Sequence, residues 1–446
     1  MEVQGYPQIV ILVVLAVGFV LALLRPYAAF LFTILLLTAG NADVFNQTRT
    51  TALGPYLNLS DVCVLVALAG LFLDKLHRKE PVWAPRIVPL ILAVLTIGAC
   101  QSFWKLGWTY ETARAYRWGV QWPLVYLLGA NLVTTPKRAK QLVGTLLCGA
   151  ILAASQHVFL VAGVWRAQSL DMQTYEFIRT ISYWAGGIGA AFLISAAVWK
   201  MPRGAWKKGF YIVTGLLLLG SIFLSQTRSI WVAVVCSLPC LLVLLKGRRR
   251  LANVMKFGFI VVLMLLAMAW VCQRVMPGLD IYDIAAGRIE ALFDRGTQSA
   301  HMGTRERAFN AEMGSWMDGT LIFGRGLRFF QTVRNSEHYA RRIAFNHLGY
   351  VTYLSQLGMI GLFVYGFLLP LGVLRDGLYL WNHAGVSILR YVGVLGTASI
   401  VLLSIMFLIS SHFLALGYEA PAALYGSMWA LARSERDMLG ETCATE

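Results

Sequence analysis

GFYIVTGLLLLGSIFLSQTRSIWVAVVCSLPCLLVLLK, residues 209–246, holds a single charge, Arg228, before its terminal lysine. A membrane-spanning helix needs about 20 mostly apolar residues, within a range of about 17–25. The stretch is roughly twice that long, and its polar knot, Ser225-Gln226-Thr227-Arg228-Ser229, falls near the middle. It reads as two spans joined by a tight turn. The fold problem is therefore one of lipid, not water.

Working outward, the same window finds further spans near 8–24, 27–41, 58–74, 86–104, 118–134, 140–164, 178–199, 254–273, 347–374, 389–411 and 417–433. The last is interrupted by Glu419 and Pro421, and 27–41 is short. The first segment lacks a basic n-region and a small-residue cleavage site, so it reads as a retained span. Over all 446 residues, 58% are hydrophobic and 13% charged, against about 25% charged in soluble domains. That excludes a soluble multidomain enzyme, a disordered chain and a disulfide scaffold. The seven cysteines lie mostly in or beside apolar runs, with no metal-ligand spacing, and read as small buried residues. The expected class is all-α: a polytopic integral membrane protein of about twelve transmembrane helices.

The net charge of +16 would suggest nucleic acid in a soluble chain. In a polytopic one it reports cytoplasmic loops, and no nucleic-acid partner is expected. One set of alternate connections carries 19 basic residues, running from Arg25 and the Lys75–Arg86 turn to Arg375 and Arg390. The opposite short connections, with Arg114, Arg117 and Arg228 among them, carry six. The first set belongs in the cytoplasm, which puts 274–346 outside, in the periplasm of a Gram-negative cell. Four regions follow: helices over 1–273, an external loop over 274–346, helices over 347–433 and a cytoplasmic tail over 434–446.

The loop holds ten arginines and no lysine among its 73 residues, beside eight acids. A merely solvated loop mixes Lys and Arg, whereas planar guanidinium forks suit phosphate and carboxylate oxygens. Pairing of Arg305 with Glu306 within the loop is the plainer reading of any one position. Residues 281–294 and 304–317 space their apolar side chains as amphipathic helices that can rest on the membrane interface. Gly324-Arg325-Gly326 makes a tight turn around a cation. His347 lies at the mouth of the following helix, where imidazole can accept a proton near neutral pH, and His338 is the other histidine in reach. Arg228, at a turn at membrane depth, is costly enough to suggest a functional role, although an arginine there can also snorkel to the surface.

Three segments together resemble the bacterial O-antigen ligases, within the O-antigen ligase and polymerase superfamily. Ser225-Gln226-Thr227-Arg228-Ser229-Ile230-Trp231 is similar to that family's Ser-x-(Ser/Thr)-Arg turn with its following aromatic. Arg305, Phe309 and Gly324-Arg325-Gly326 follow its order of an arginine, an aromatic and a Gly-x-Gly. His347, Tyr350, Gly358 and Gly361 follow its His-x10-Gly-x2-Gly, with Leu348 where Asn, Ser or Gln is usual. The likeness covers about 209–433.

The resemblance implies transfer of a glycan from undecaprenyl diphosphate, the donor, to a sugar hydroxyl of lipid A–core oligosaccharide, the acceptor, at the periplasmic face of the inner membrane. It implies Arg228 and Arg305 as substrate-binding residues that hold the diphosphate, and His347 as the catalytic base. It further implies an inverting reaction without metal or cofactor, in contact with membrane lipids. The nearest alternative is an O-antigen polymerase, which typically carries two sizeable external loops. A protein O-oligosaccharyltransferase would add a C-terminal domain, and only about a dozen residues follow 433. A lipid-linked glycan flippase would carry charged residues within its spans.

Overall fold

The computed structural model describes residues 6–39, 59–107, 110–166, 188–196, 205–224, 228–244, 309–310, 313–314, 316–317, 320–327, 331–335, 339–343, 349–409 and 419–438, with the single residue 258. Helices run over Tyr6–Leu24 (α1), Pro26–Ala39 (α2), Leu59–Arg78 (α3), Ile87–Leu106 (α4), Tyr110–Leu132 (α5), Pro136–Arg166 (α6), Ala205–Leu224 (α7) and Arg228–Leu244 (α8). After the 274–346 segment come Gly349–Phe363 (α9), a π-helical turn Val364–Leu368, Leu369–His383 (α10), Ser387–Ile409 (α11) and Glu419–Met438 (α12). The protein is a helical membrane protein. Among the described residues, four helical stretches, Ile87–Lys105, Pro136–Val158, Gly349–His383 and Ser387–Leu408, are long and apolar enough to cross a bilayer.

The 274–346 segment differs from the helices-only expectation. It contains an antiparallel hairpin, Gln331–Asn335 (β1) with Tyr339–Ile343 (β2), in which Gln331 faces Ile343 and Asn335 faces Tyr339. The described residues of 304–317, namely 309–310, 313–314 and 316–317, are helical, with Phe309 and Met317 exposed. The expected helix 281–294 and the expected span 254–273, apart from helical Gly258, lie outside the described residues.

Apolar side chains here cover the outside as well as the core. Leu24, Leu76, Val243 and Leu408 are exposed, as lipid-facing residues must be. Trp104 and Trp206, at opposite ends of their helices in the sequence-derived topology, are both largely exposed, which is where indole rings meet headgroups. Between helices there is no hydrophobic drive beyond that of lipid, so close approach depends on small residues. α5 and α12 pack most closely. A Cβ on Gly129 would strike the Ala423 carbonyl, and one on Gly426 would lie 2.9 Å from the Ala130 nitrogen. α10 and α11 cross in the same way at Gly377 and Gly393.

Several contacts gather the basic turns at one end. Tyr27 donates to the Arg138 carbonyl at 2.6 Å, Arg433 stacks over Trp83 at 4.1 Å, and Arg436 reaches Asp376 at 2.7 Å. The 320–327 segment contacts the opposite end of α4, and we call these the basic end and the loop end. Two expectations change. Arg114 and Arg117 are not in a connecting loop but inside α5, where Arg117 forms an ion pair with Asp61 of α3 at 3.2 Å, both side chains largely buried. Glu419 and Pro421 do not interrupt a span: they occupy the first turn of α12, which continues to Met438, past the expected start of a tail at 434.

Candidate functional site

α9 is broken at Gly358, whose φ of 68° and ψ of −165° belong to a region that is essentially glycine's alone. Breaking a helix inside a membrane frees amides and carbonyls that lipid cannot satisfy. Here 320–327 satisfies them. Met359 and Ile360, just past the break, donate their amides to the carbonyls of Leu321 and Ile322 at 3.0 and 3.2 Å. Before the break, the carbonyls of Ser355 and Gln356 accept from Arg325 and Gly326 at 2.8 and 2.9 Å. The segment is thereby held in the gap as a backbone plug.

The glycines of Gly324-Arg325-Gly326 are required by this fit. Both have positive φ, 72° and 107°. A Cβ on Gly324 would stand 2.5 Å from the Gly358 nitrogen, and one on Gly326 would stand 2.8 Å from the Ser102 nitrogen. α4 closes the other side. Leu327 donates its amide to the Gly98 carbonyl at 3.1 Å, and the Ser102 hydroxyl donates to the Leu327 carbonyl at 2.7 Å. Gly98 lies eight residues before the end of α4, about 12 Å along the axis. The plug therefore reaches below the helix ends. Lys105 donates to the Arg325 carbonyl at 3.3 Å, which brings two cationic residues together at the mouth.

The start of α9 is fixed as firmly. Gly349 packs against Phe407 of α11, and the Tyr350 ring meets Phe407 edge-on at 4.6 Å. Tyr353 and Tyr365 stack at 4.6 Å from either side of the break, with Thr352, Ser355 and Gln356 also buried on this short helix. At the α7–α8 turn, Trp231 donates its indole N–H to the Ile222 carbonyl at 3.0 Å and ties the hairpin together.

Of the sequence-predicted residues, Arg228 is the first of α8, with its side chain beyond the described set. Arg305, His347 and the alternative His338 lie outside the described residues. The structure does bring together Gly324-Arg325-Gly326 with Gly358, 34 residues apart in sequence, and it ends the plug beside Lys105, a residue sequence reasoning did not single out. The adjoining apolar run gave no hint of that lysine's role; its contact with 325 is visible only in three dimensions. Asp61 and Arg117 were missed for the same reason. Among the described residues, no three His, Cys, Asp or Glu side chains gather as a metal site.

No protein-family model and no curated protein matches this chain.

Proposed function

We propose that this protein is an O-antigen ligase of the inner membrane, which transfers a glycan from undecaprenyl diphosphate to a lipid A–core sugar at the periplasmic face. The observation that carries this reading is the plug. Two of the three segments on which the resemblance rests, Gly324-Arg325-Gly326 and the glycines after His347, form one interlocked unit. Gly324, Gly326 and Gly358 are each required by that packing, which supports reading their spacing as a motif.

In this mechanism the acceptor hydroxyl oxygen attacks the anomeric carbon from the face opposite the diphosphate. The carbon–oxygen bond to the diphosphate breaks, and its electron pair leaves with the phosphate. The hydroxyl proton passes to the His347 imidazole. Arg228 and Arg305 neutralise the leaving diphosphate with fixed guanidinium forks, whose advantage is that they need no reorganisation as charge develops. Both substrates are lipid-anchored, which suits a site near a helix mouth.

The test is the lipopolysaccharide gel ladder of a strain lacking the gene. Loss of all capped species, with accumulation of lipid-linked O-antigen, supports the ligase. A cap of one repeat supports the polymerase reading instead.

A further inference from the structure

At the basic end, far from the plug, a cavity of about 430 Å³ opens between the α3–α4 turn, α10 and α12. That volume lies within the range of about 300–1,000 Å³ usual for small-molecule sites. Its chemistry-bearing lining is Trp83, Arg86, Arg375, Trp429, Arg433 and Arg436. Asp376 and Asp437 complete the charged set, so four arginines against two aspartates leave a net charge of +2.

The cavity is held in shape from beneath. Buried Asn131 accepts from the Trp83 amide at 2.9 Å and donates to the Trp83 carbonyl at 2.8 Å, which clamps the turn to the end of α5. Arg433 stacks on Trp83 at 4.1 Å. Asp376, 2% exposed, is contacted by Arg436 at 2.7 Å and Arg375 at 3.2 Å. Both arginines reach the same carboxylate oxygen, Oδ1, while their two guanidinium groups present five N–H donors each. Donors are left over for an anion.

Depth identifies the anion's source. From Gly349 to Arg375 two helical stretches, nine residues before the break at Gly358 and seventeen after it, run about 13 and 26 Å, together more than a hydrocarbon core of about 30 Å. Arg375 therefore stands in the headgroup layer when Gly349 is at the opposite surface. Leu371 and Phe367, about one and two turns nearer the membrane centre, are 60% and 52% exposed, and present an apolar track beside the cavity. A soluble phosphate compound has no use for that track, and acyl chains do.

We propose that this cavity binds the phosphodiester headgroup of an anionic phospholipid, with Arg86 and Arg375 as forks and the acyl chains along Phe367 and Leu371. The site is independent of the proposed transfer chemistry.

The full-length protein in detergent would be titrated with phosphatidylglycerol, phosphatidylcholine and inorganic phosphate, and bound lipid counted by native mass spectrometry. Phosphatidylglycerol should bind more tightly than phosphatidylcholine, and inorganic phosphate should not displace it. The Arg86→Gln/Arg375→Gln variant should lose about tenfold or more of phosphatidylglycerol affinity, at roughly one factor per cation. It keeps the Asp376–Arg436 pair, so it should melt like the wild type, and the two single variants should fall between. Equal binding of the two lipids, unchanged affinity in the double variant, or full displacement by inorganic phosphate would each overturn the proposal.

Discussion

At Gly358 the backbone conformation and the lack of a side chain are inseparable. Any other residue would be strained at φ 68°, and a Cβ would run into the Ile322 carbonyl. Gly358→Ala should cost at least about 1–3 kcal/mol from the backbone alone and lower the melting temperature in detergent; an unchanged melt contradicts the plug. Arg228 and Arg305 are tested by chemistry. Arg→Lys keeps the charge and loses the fork, so ligation should fall on the order of a hundredfold or more at normal expression. Near wild-type rates in both variants would make these arginines structural. Glycine spacing was legible in the sequence because positive φ restricts identity so sharply. What the glycines touch was not, since Gly324 and Gly358 meet only through the fold.

Elements in this protein are set by two rules, apolar length and small-residue contact. The first is readable from sequence: the expected spans that fall within the described residues are helical, with ends shifted by up to nine residues, whereas 254–273 lies outside the described residues apart from Gly258. The shifts have causes. Polar residues such as Arg117 are carried inside α5 because Asp61 pairs with them, and a window that rejects charge places the end too late. Pro421 interrupts the apolar run in the sequence, yet proline in a first turn loses no helical hydrogen bond. The second rule gives a paired prediction. Gly426→Leu forces bulk into the α5–α12 contact and should cost about 1–3 kcal/mol, read as a fall in melting temperature. Gly144→Leu, where a Cβ meets nothing within 4 Å, should be neutral within about 0.5 kcal/mol. Equal effects at the two sites would mean that the α5–α12 crossing is looser than described.

The whole molecule has two chemically distinct ends. One set of alternate connections carries nineteen basic residues, and the opposite set only four once Arg114 and Arg117 are placed inside α5; by the positive-inside rule 274–346 should lie outside. Ser299→Cys, in a background without the native cysteines, should react with a membrane-impermeant thiol reagent in cells with a permeabilised outer membrane, and Lys207→Cys should not. The reverse pattern inverts the topology and removes the periplasmic site with it. The central claim is transfer itself. Purified protein would be mixed in detergent with undecaprenyl diphosphate-linked glycan and lipid A–core, and both products counted. Capped lipid A–core and free undecaprenyl diphosphate should appear in equal amounts, at a rate that falls on acidification as the imidazole becomes protonated. His347→Ala should lower that rate by about 10²–10⁴-fold. Release of no undecaprenyl diphosphate by the wild type, or full transfer by His347→Ala, would contradict it.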